Sequence, residues 1–187
     1  MKAYIHPTAV VDEGAQLGEG TKVWHFTHVE GTAVIGQNCS IGQNAYVGSR
    51  TVIGDGCKLQ NNVSIYEGVT LGSGVFCGPS CVFTNDLTPR ALYPKGHENF
   101  VPTVVEDEAS IGANATIVCG HRIGRCAMIG AGAVVTSNVP PHALMLGVPA
   151  RLSGYVCTCG ELLRGEMTCS QCGRTFETDG EGLREVR

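Results

Sequence analysis

Apolar residues recur at every sixth position along most of this chain. The column runs from Ile5 through Val11, Leu17, Val23, Val29, Ile35, Ile41, Val47, Ile53, Leu59, Ile65, Leu71 and Cys77 to Phe83. It breaks once and resumes at Val105, Ile111, Ile117, Ile123, Ile129 and Val135. A second column, four residues after the first, is small or β-branched: Ala9, Ala15, Thr21, Thr27, Ala33, Cys39, Ala45, Thr51, Cys57, Val63, Val69, Val75 and Cys81. Glycine often follows the apolar residue, as at Gly36, Gly42, Gly48, Gly54 and Gly72. A period of six does not fit an amphipathic helix, and 26 glycines in 187 residues weigh against helix as well. It predicts a short strand, a tight corner and another short strand. The large residue fills an interior, the small one a crowded bend, and glycine a place where a Cβ is forbidden. Three hexads then make one turn of a triangular coil, and successive turns stack as parallel strands.

The break between Phe83 and Val105 contains Thr84-Asn85-Asp86-Leu87-Thr88-Pro89-Arg90 and three prolines, Pro89, Pro94 and Pro102. This composition predicts a loop thrown out of the coil over about residues 84–104. Long excursions from a regular scaffold carry binding and chemistry, so this loop is the expected border of an active site.

Polar residues interrupt the repeat at a few places. Val23-Trp24-His25-Phe26-Thr27-His28 is either aromatic decoration of one face or a patch facing a substrate, where imidazole can exchange a proton near neutral pH. Leu59-Gln60-Asn61-Asn62-Val63-Ser64-Ile65-Tyr66 either presents amides to a polar ligand from a flat strand or forms a ladder between coils. His121 takes a place otherwise held by small residues, which requires either a structural accommodation or a locally opened corner.

A net charge of −4 gives no electrostatic case for nucleic acid or an anionic membrane. No stretch approaches the roughly 18 apolar residues of a membrane span, and the N-terminus has no signal-peptide core. A cytoplasmic protein is expected. The ten cysteines therefore need a role other than disulfides. Six of them, Cys39, Cys57, Cys77, Cys81, Cys119 and Cys126, are scattered through the repeat. The first four occupy its apolar or small columns and are read as small core residues, with nucleophilic catalysis by one of them as the alternative.

The hexads, followed by Gly130-Ala131-Gly132-Ala133-Val134-Val135 and closing on Gly147-Val148-Pro149-Ala150-Arg151, resemble the hexapeptide-repeat acyltransferases. The resemblance implies an all-β, left-handed parallel β-helix, a handedness that periodicity alone does not give. It also implies a homotrimer with acyl-CoA in grooves between subunits. Trp24-His25-Phe26, Gly42-Gln43-Asn44, Gln60-Asn61-Asn62-Val63-Ser64, Phe76-Cys77-Gly78-Pro79-Ser80, Phe83-Thr84-Asn85 with Pro89-Arg90, and Thr116-Ile117-Val118-Cys119-Gly120 narrow it. Over about residues 4–152 they resemble the bacterial N-acetyltransferases of UDP-2-acetamido-3-amino-2,3-dideoxyglucuronate in O-antigen synthesis. That likeness implies acetyl-CoA as co-substrate. It implies Asn85 as the residue orienting amine or intermediate, and His25 as a candidate proton relay. UDP-sugar contacts would come from Gln60, Asn61, Tyr66 and Arg90, and CoA contacts from Ala131 and Arg151. Alternatives are an acyltransferase of the same fold acting on a dTDP-amino sugar or small alcohol, a γ-carbonic-anhydrase-type metalloprotein, and a non-catalytic scaffold.

The tail departs from that pattern. Cys157-Thr158-Cys159-Gly160 and Cys169-Ser170-Gln171-Cys172-Gly173 are two cysteine pairs, each closed by glycine. Four thiolates at this spacing suit tetrahedral zinc, or iron in its place, and a metal would fold a segment with little core of its own. Residues 1–152 are expected to form the coil and 153–187 a small zinc-ribbon-like module. Residues 154–187 hold four arginines against six acids, which favours capping or a protein contact over nucleic acid.

Overall fold

The computed structural model describes residues 2–187. From Tyr4–Ile5 to Val134–Val135, strands of two or three residues alternate with tight corners. Each strand pairs in parallel with the strand three further on. The register is eighteen residues, as in Tyr4 with Lys22, His28 with Tyr46 and Val34 with Val52. Three sheets result, and we number these faces by their first strands: Tyr4–Ile5, Val10–Val11 and Gln16–Leu17. This is the expected three-hexad coil, an all-β left-handed helix of about eight turns.

The six-spaced apolar residues from Val23 to Val135 fill the interior together with Cys39, Cys57, Cys77 and Cys81, while Cys119 and Cys126 are buried outside that cluster. The first turn keeps the frame with less burial, Val11 and Leu17 being only partly buried against the core. Ile5 is 43% exposed, because a terminal turn has a neighbour on one side only.

The small column faces inward as well, and it has a second duty. The Thr21 and Thr27 hydroxyls donate to the Gly36 and Gly42 carbonyls at 2.7 and 2.8 Å. The Cys39 and Cys57 thiols donate in the same way to the Gly54 and Gly72 carbonyls at 3.1 and 3.0 Å. A small residue with a donor thus satisfies a carbonyl at the crowded corner of the next turn.

Glycine after the apolar residue is required by contact between turns. A Cβ on Gly54 would lie 2.7 Å from both the Gly72 carbonyl carbon and the Ser73 nitrogen. The left-handed backbone comes two residues later, at Asn38, Asn44, Gly56, Asn62 and Gly74, with φ between 55° and 69°. Asparagine and glycine are the residues that tolerate this conformation.

After Val82–Phe83 the chain leaves the corner between the second and third faces. It returns as Thr103–Val105 beside Val69–Leu71, so the loop proper covers residues 84–102 and carries a short 3₁₀ turn at His97–Asn99. The loop is pinned at its base. Lys95 Nζ donates to Asp86 Oδ1 at 2.9 Å, His97 Nδ1 meets Glu67 Oε2 at 2.8 Å, and Val101 N–H donates to the Asn85 carbonyl at 2.8 Å.

The first face ends in Ala143–Leu146, parallel to Met128–Ile129. Arg151–Val156 folds back antiparallel on that strand and pairs in turn with Leu162–Leu163. This strand crosses residue 152, the expected border of the tail. Two apolar clusters still separate: the coil's cluster extends to Ala150, and Cys157, Leu163, Cys169, Phe176 and Leu183 form another, with Tyr155 packed against both. A hairpin of Phe176–Asp179 and Gly182–Glu185 completes the fold. Among the described residues no helix is long and apolar enough to cross a membrane.

Candidate active site

The corner between the first and second faces recurs every turn, and its backbone is laced from one turn to the next. The N–H groups of Asn44, Asn62, Ser80, Asn114 and Gly132 donate to the carbonyls of His25, Gln43, Asn61, Pro79 and Ala113 at 2.8–3.0 Å. His25, Gln43, Asn61 and Ala131 therefore stand along one edge of the prism. Near its start, Trp24, His25, Ser40, Gln43, Gln60 and Asn61 line a concavity of about 310 Å³. Three of the sequence-predicted site residues, His25, Gln60 and Asn61, meet there.

The Gln-Asn-Asn run occupies this corner instead of a flat strand. Asn61 Oδ1 accepts the Gln43 N–H at 3.0 Å, and Asn62 Oδ1 accepts from Asn44 Nδ2 at 2.9 Å. Both asparagines thus serve the ladder between turns. The Gln60 carboxamide stays uncommitted among the described residues.

His6 was not singled out from the sequence, yet its ring lies on His25 with centroids 3.5 Å apart, and Trp24 lies nearly parallel to His25 on the same edge. The Thr8 N–H donates to His6 Nδ1 at 3.2 Å, which marks that nitrogen as an acceptor. Desolvation, and then a charge on His25, hold the His6 pKa below its usual value. The eighteen-residue register, which sets residue 6 beside residue 24, is the signal that would have found it.

Tyr66, Asn85 and Arg90 belong to the next edge, between the second and third faces. Tyr66 is 39% exposed, with its ring 5.5 Å from that of Tyr46. Asn85 stands at the root of the loop, and Arg90 is exposed on it with no ion pair among the described residues. Beside Tyr66 lies a network that sequence reasoning missed. Tyr46 Oη donates to Glu30 Oε1 at 2.6 Å, and the Ser49 N–H donates to Glu30 Oε2 at 2.7 Å. The Ser49 and Tyr46 hydroxyls hold the Glu30 pKa down, while burial and Glu30 push the Tyr46 phenol up to about 12. The two groups of predicted residues are separated by the outward side chains of the second face, which include His28, Tyr46 and Ser64. One chain does not bring them together.

Ala131 borders an apolar groove of about 370 Å³ with Phe76, Ser110, Gly112, Met128 and Gly130. Such a groove, with glycine backbone exposed at its floor, suits a thin flexible chain. Arg151 lies further along, in a cleft of about 440 Å³ with Asn138, Leu152, Tyr155 and Glu181, and its guanidinium donates to the Ala150 carbonyl at 2.9 Å. His121 is half-buried at a corner, its carbonyl accepting the Val104 N–H at 3.3 Å.

In the tail, the sulfurs of Cys157, Cys159, Cys169 and Cys172 all lie within 4.8 Å of one another. Cys157 and Cys172 are 3.5 Å apart, and Cys159 and Cys169 3.7 Å. A tetrahedral metal with sulfur at about 2.3 Å sets its ligands about 3.8 Å apart, whereas a disulfide needs about 2.05 Å. The spacing fits a four-thiolate shell. Both knuckles are closed by backbone bonds, Gly160 N–H to the Cys157 carbonyl at 2.8 Å and Gly173 N–H to the Cys169 carbonyl at 2.9 Å.

Residues 32–67 and 102–137 match the hexapeptide repeat of succinyl-transferase, and residues 14–49 match the bacterial transferase hexapeptide of six repeats. The dTDP-3-amino-3,6-dideoxy-α-D-galactopyranose 3-N-acetyltransferase of Aneurinibacillus thermoaerophilus is 49% identical over 177 residues, covering 93% of this chain and 90% of that protein. Among solved structures, PerB from Caulobacter crescentus in complex with CoA and GDP-perosamine is 26% identical with a TM-score of 0.53. The likeness covers 81% of this chain and 57% of that one. A hexapeptide-repeat acetyltransferase from Vibrio cholerae complexed with acetyl coenzyme A is 28% identical with a TM-score of 0.55, covering 76% of this chain and 71% of that one.

Proposed function

We propose a reaction for this chain from one premise: it belongs to the hexapeptide-repeat acetyltransferases that act on the amino groups of nucleotide-linked sugars, with acetyl-CoA as donor. Within that class we assign it the 3-amino group of a nucleotide-linked 3-amino sugar. The observation that carries this is the likeness, along nearly the whole chain, to a 3-N-acetyltransferase. A dTDP-linked 3-amino-6-deoxyhexose is the first acceptor on that ground. UDP-2-acetamido-3-amino-glucuronate is the second, favoured by the Phe83-Thr84-Asn85 and Pro89-Arg90 strings and by the guanidinium of Arg90, which has no ion pair among the described residues and suits a carboxylate or phosphate.

The neutral sugar amine attacks the thioester carbonyl, a carbon–nitrogen bond forms, and the carbonyl oxygen becomes an oxyanion. Collapse of that intermediate breaks the carbon–sulfur bond, and the proton lost by the amine ends on the departing thiolate. Asn85 orients amine or intermediate through its carboxamide; an amide takes no proton at neutral pH, so it is not the base. His25 relays the proton. Gln60, Asn61, Tyr66 and Arg90 hold the nucleotide sugar, and the groove at Ala131 together with Arg151 holds CoA. Because these residues occupy two edges of one prism, the complete site forms where the edges of two copies meet in a homotrimer. The enzyme works in the cytoplasm, in the synthesis of a surface polysaccharide. The four thiols of the tail take no part in the transfer and hold a structural zinc ion.

The test is thiol release from acetyl-CoA with dTDP- and UDP-linked 3-amino sugars, the latter with and without the C6 carboxylate, on wild type and Asn85→Ala. Turnover with one class and its collapse in the variant supports the assignment. Turnover with neither nucleotide would refute it.

A further inference from the structure

The strand that leaves the coil and the first metal knuckle are the same piece of chain. Arg151–Val156 lies on Ala143–Leu146, the last parallel strand of the first face, and Cys157 follows without a break. We infer that zinc at Cys157, Cys159, Cys169 and Cys172 clamps the C-terminal end of the coil, fixing that strand and with it the position of Arg151. The inference rests on reading the tail as a zinc site and Arg151 as a CoA contact.

Two sets of contacts tie the tail to the last turns, and a third closes the tail on itself. First, the Val156 N–H donates to the His142 carbonyl at 2.8 Å, and His142 Nδ1 meets the Val156 carbonyl at 3.0 Å, so a buried imidazole grips the peptide just before Cys157. Second, the terminal hairpin returns to the same corner. Phe176 packs its ring edge-on to His142 with centroids 5.0 Å apart, and the Leu183 N–H donates to the Pro141 carbonyl at 3.2 Å. Third, Thr158, which stands between two ligands, donates to Glu185 Oε2 at 2.7 Å, joining the first knuckle to that hairpin.

The tail has little else to hold these contacts. Apart from two of the thiol ligands, its own cluster buries only Leu163, Phe176 and Leu183. So few side chains do not order a segment of this length without a staple, and four metal–sulfur bonds supply one. The cleft that holds Arg151 takes Leu152, Tyr155 and Glu181 from the same segment, and Tyr155 Oη donates to the Glu181 carbonyl at 3.0 Å. Losing the metal would release Glu181 and Tyr155 together.

The experiment uses the full-length protein. Zinc is counted colorimetrically after thiol modification, and amide hydrogen exchange is followed before chelation, after it, and after Zn²⁺ is returned. One zinc per chain is expected. On chelation, exchange at Ala143–Leu146 and Arg151–Val156 should rise at least tenfold, with Ser40–Ile41 and Lys58–Leu59 unchanged and light scattering showing the same assembly. Zn²⁺ should restore protection. The KM for acetyl-CoA should rise severalfold on chelation while kcat and the KM for the sugar hold, a split that general unfolding would not give. Cys172→Ser, at an exposed ligand, should reproduce the chelated state; if that variant precipitates, chelation of the wild type carries the test. Absence of zinc from the protein as purified, and no uptake of added Zn²⁺, would overturn the metal reading. Bound zinc whose removal leaves Ala143–Leu146 protected would overturn the clamp alone. Increased exchange with an unchanged KM for acetyl-CoA would overturn the positioning of Arg151.

Discussion

If the acetyl-transfer site joins the His25 edge of one copy to the Asn85 edge of another, two inactive variants must rescue each other in mixed trimers. Gln60→Trp fills the concavity of about 310 Å³ on the first edge, and Asn85→Ala removes the orienting amide on the second. The loss of one stabilising donor is expected to lower kcat by about 10²–10³. In a cyclic trimer each site takes one edge from each of two neighbours. A trimer with two subunits of one kind and one of the other therefore contains a single site with both edges intact, so purified mixed trimers should recover about one third of wild-type turnover. Unselected equal mixtures contain about three quarters mixed trimers and should recover about one quarter. Co-expression with two affinity tags, native mass spectrometry to count subunits, and thiol release from acetyl-CoA make the measurement. Zero recovery in trimers shown to be mixed would refute the shared site, because it is the result expected when both edges must belong to one chain.

The remaining predictions concern the scaffold and the tail. Gly54→Ala should cost about 2–3 kcal/mol, because the new Cβ meets backbone on the next turn. Gly56→Ala has open space but a φ of +68°, so it should cost about 1–2 kcal/mol and be largely relieved by Gly56→Asn; thermal unfolding at fixed protein concentration separates the two. Thr27→Val removes the buried donor to the Gly42 carbonyl and should cost about 1–2 kcal/mol in the same assay. The Glu30 carboxyl titrates below its unfolded value in the fold, so its stabilisation is full above about pH 4.5 and is lost as pH falls through the folded value. Acid unfolding should therefore be less steep in Glu30→Gln. Removing residues 153–187 should leave acetylation measurable in a truncate that still assembles; complete loss of turnover there would contradict a tail outside the chemistry.

How much of this was legible in the sequence follows from what the repeat encodes. Each turn buries its own six-spaced residue against the same column one turn away, so Ile35, Ile53 and Leu71 had to align whatever else the chain does. The cysteine cluster was legible for a similar reason: Cys157, Cys159, Cys169 and Cys172 are local pairs whose spacing nearly forces them together. The six-residue pattern says which side chains point inward and where the chain bends, but not which edge residues bond from one turn to the next. Asn61 and Gly56 show the difference. The first is a rung between turns, set by the eighteen-residue register, and the second a left-handed corner of the kind that recurs every six residues, as at Asn44, Arg50 and Asn62.

The proposed site is the least legible part because its residues are spread over several turns of the coil, with only Gln60, Asn61 and Tyr66 sharing one. Asn85 and Arg90 entered through a loop, Gln60 and His25 through a corner, and one full face of the prism stands between them. The face is a sheet of two-residue strands, its outward residues held in register by the turns above and below. Within one chain, no rotamer change carries Asn85 around that sheet to Gln60. A second edge brought alongside by a neighbouring copy closes the distance with no change in either fold. On the proposed assignment, the repeat that makes the coil rigid leaves the seam between copies as the place for the chemistry, and the loop at residues 84–102, pinned to the coil by His97 and Glu67, is the element placed to cross it.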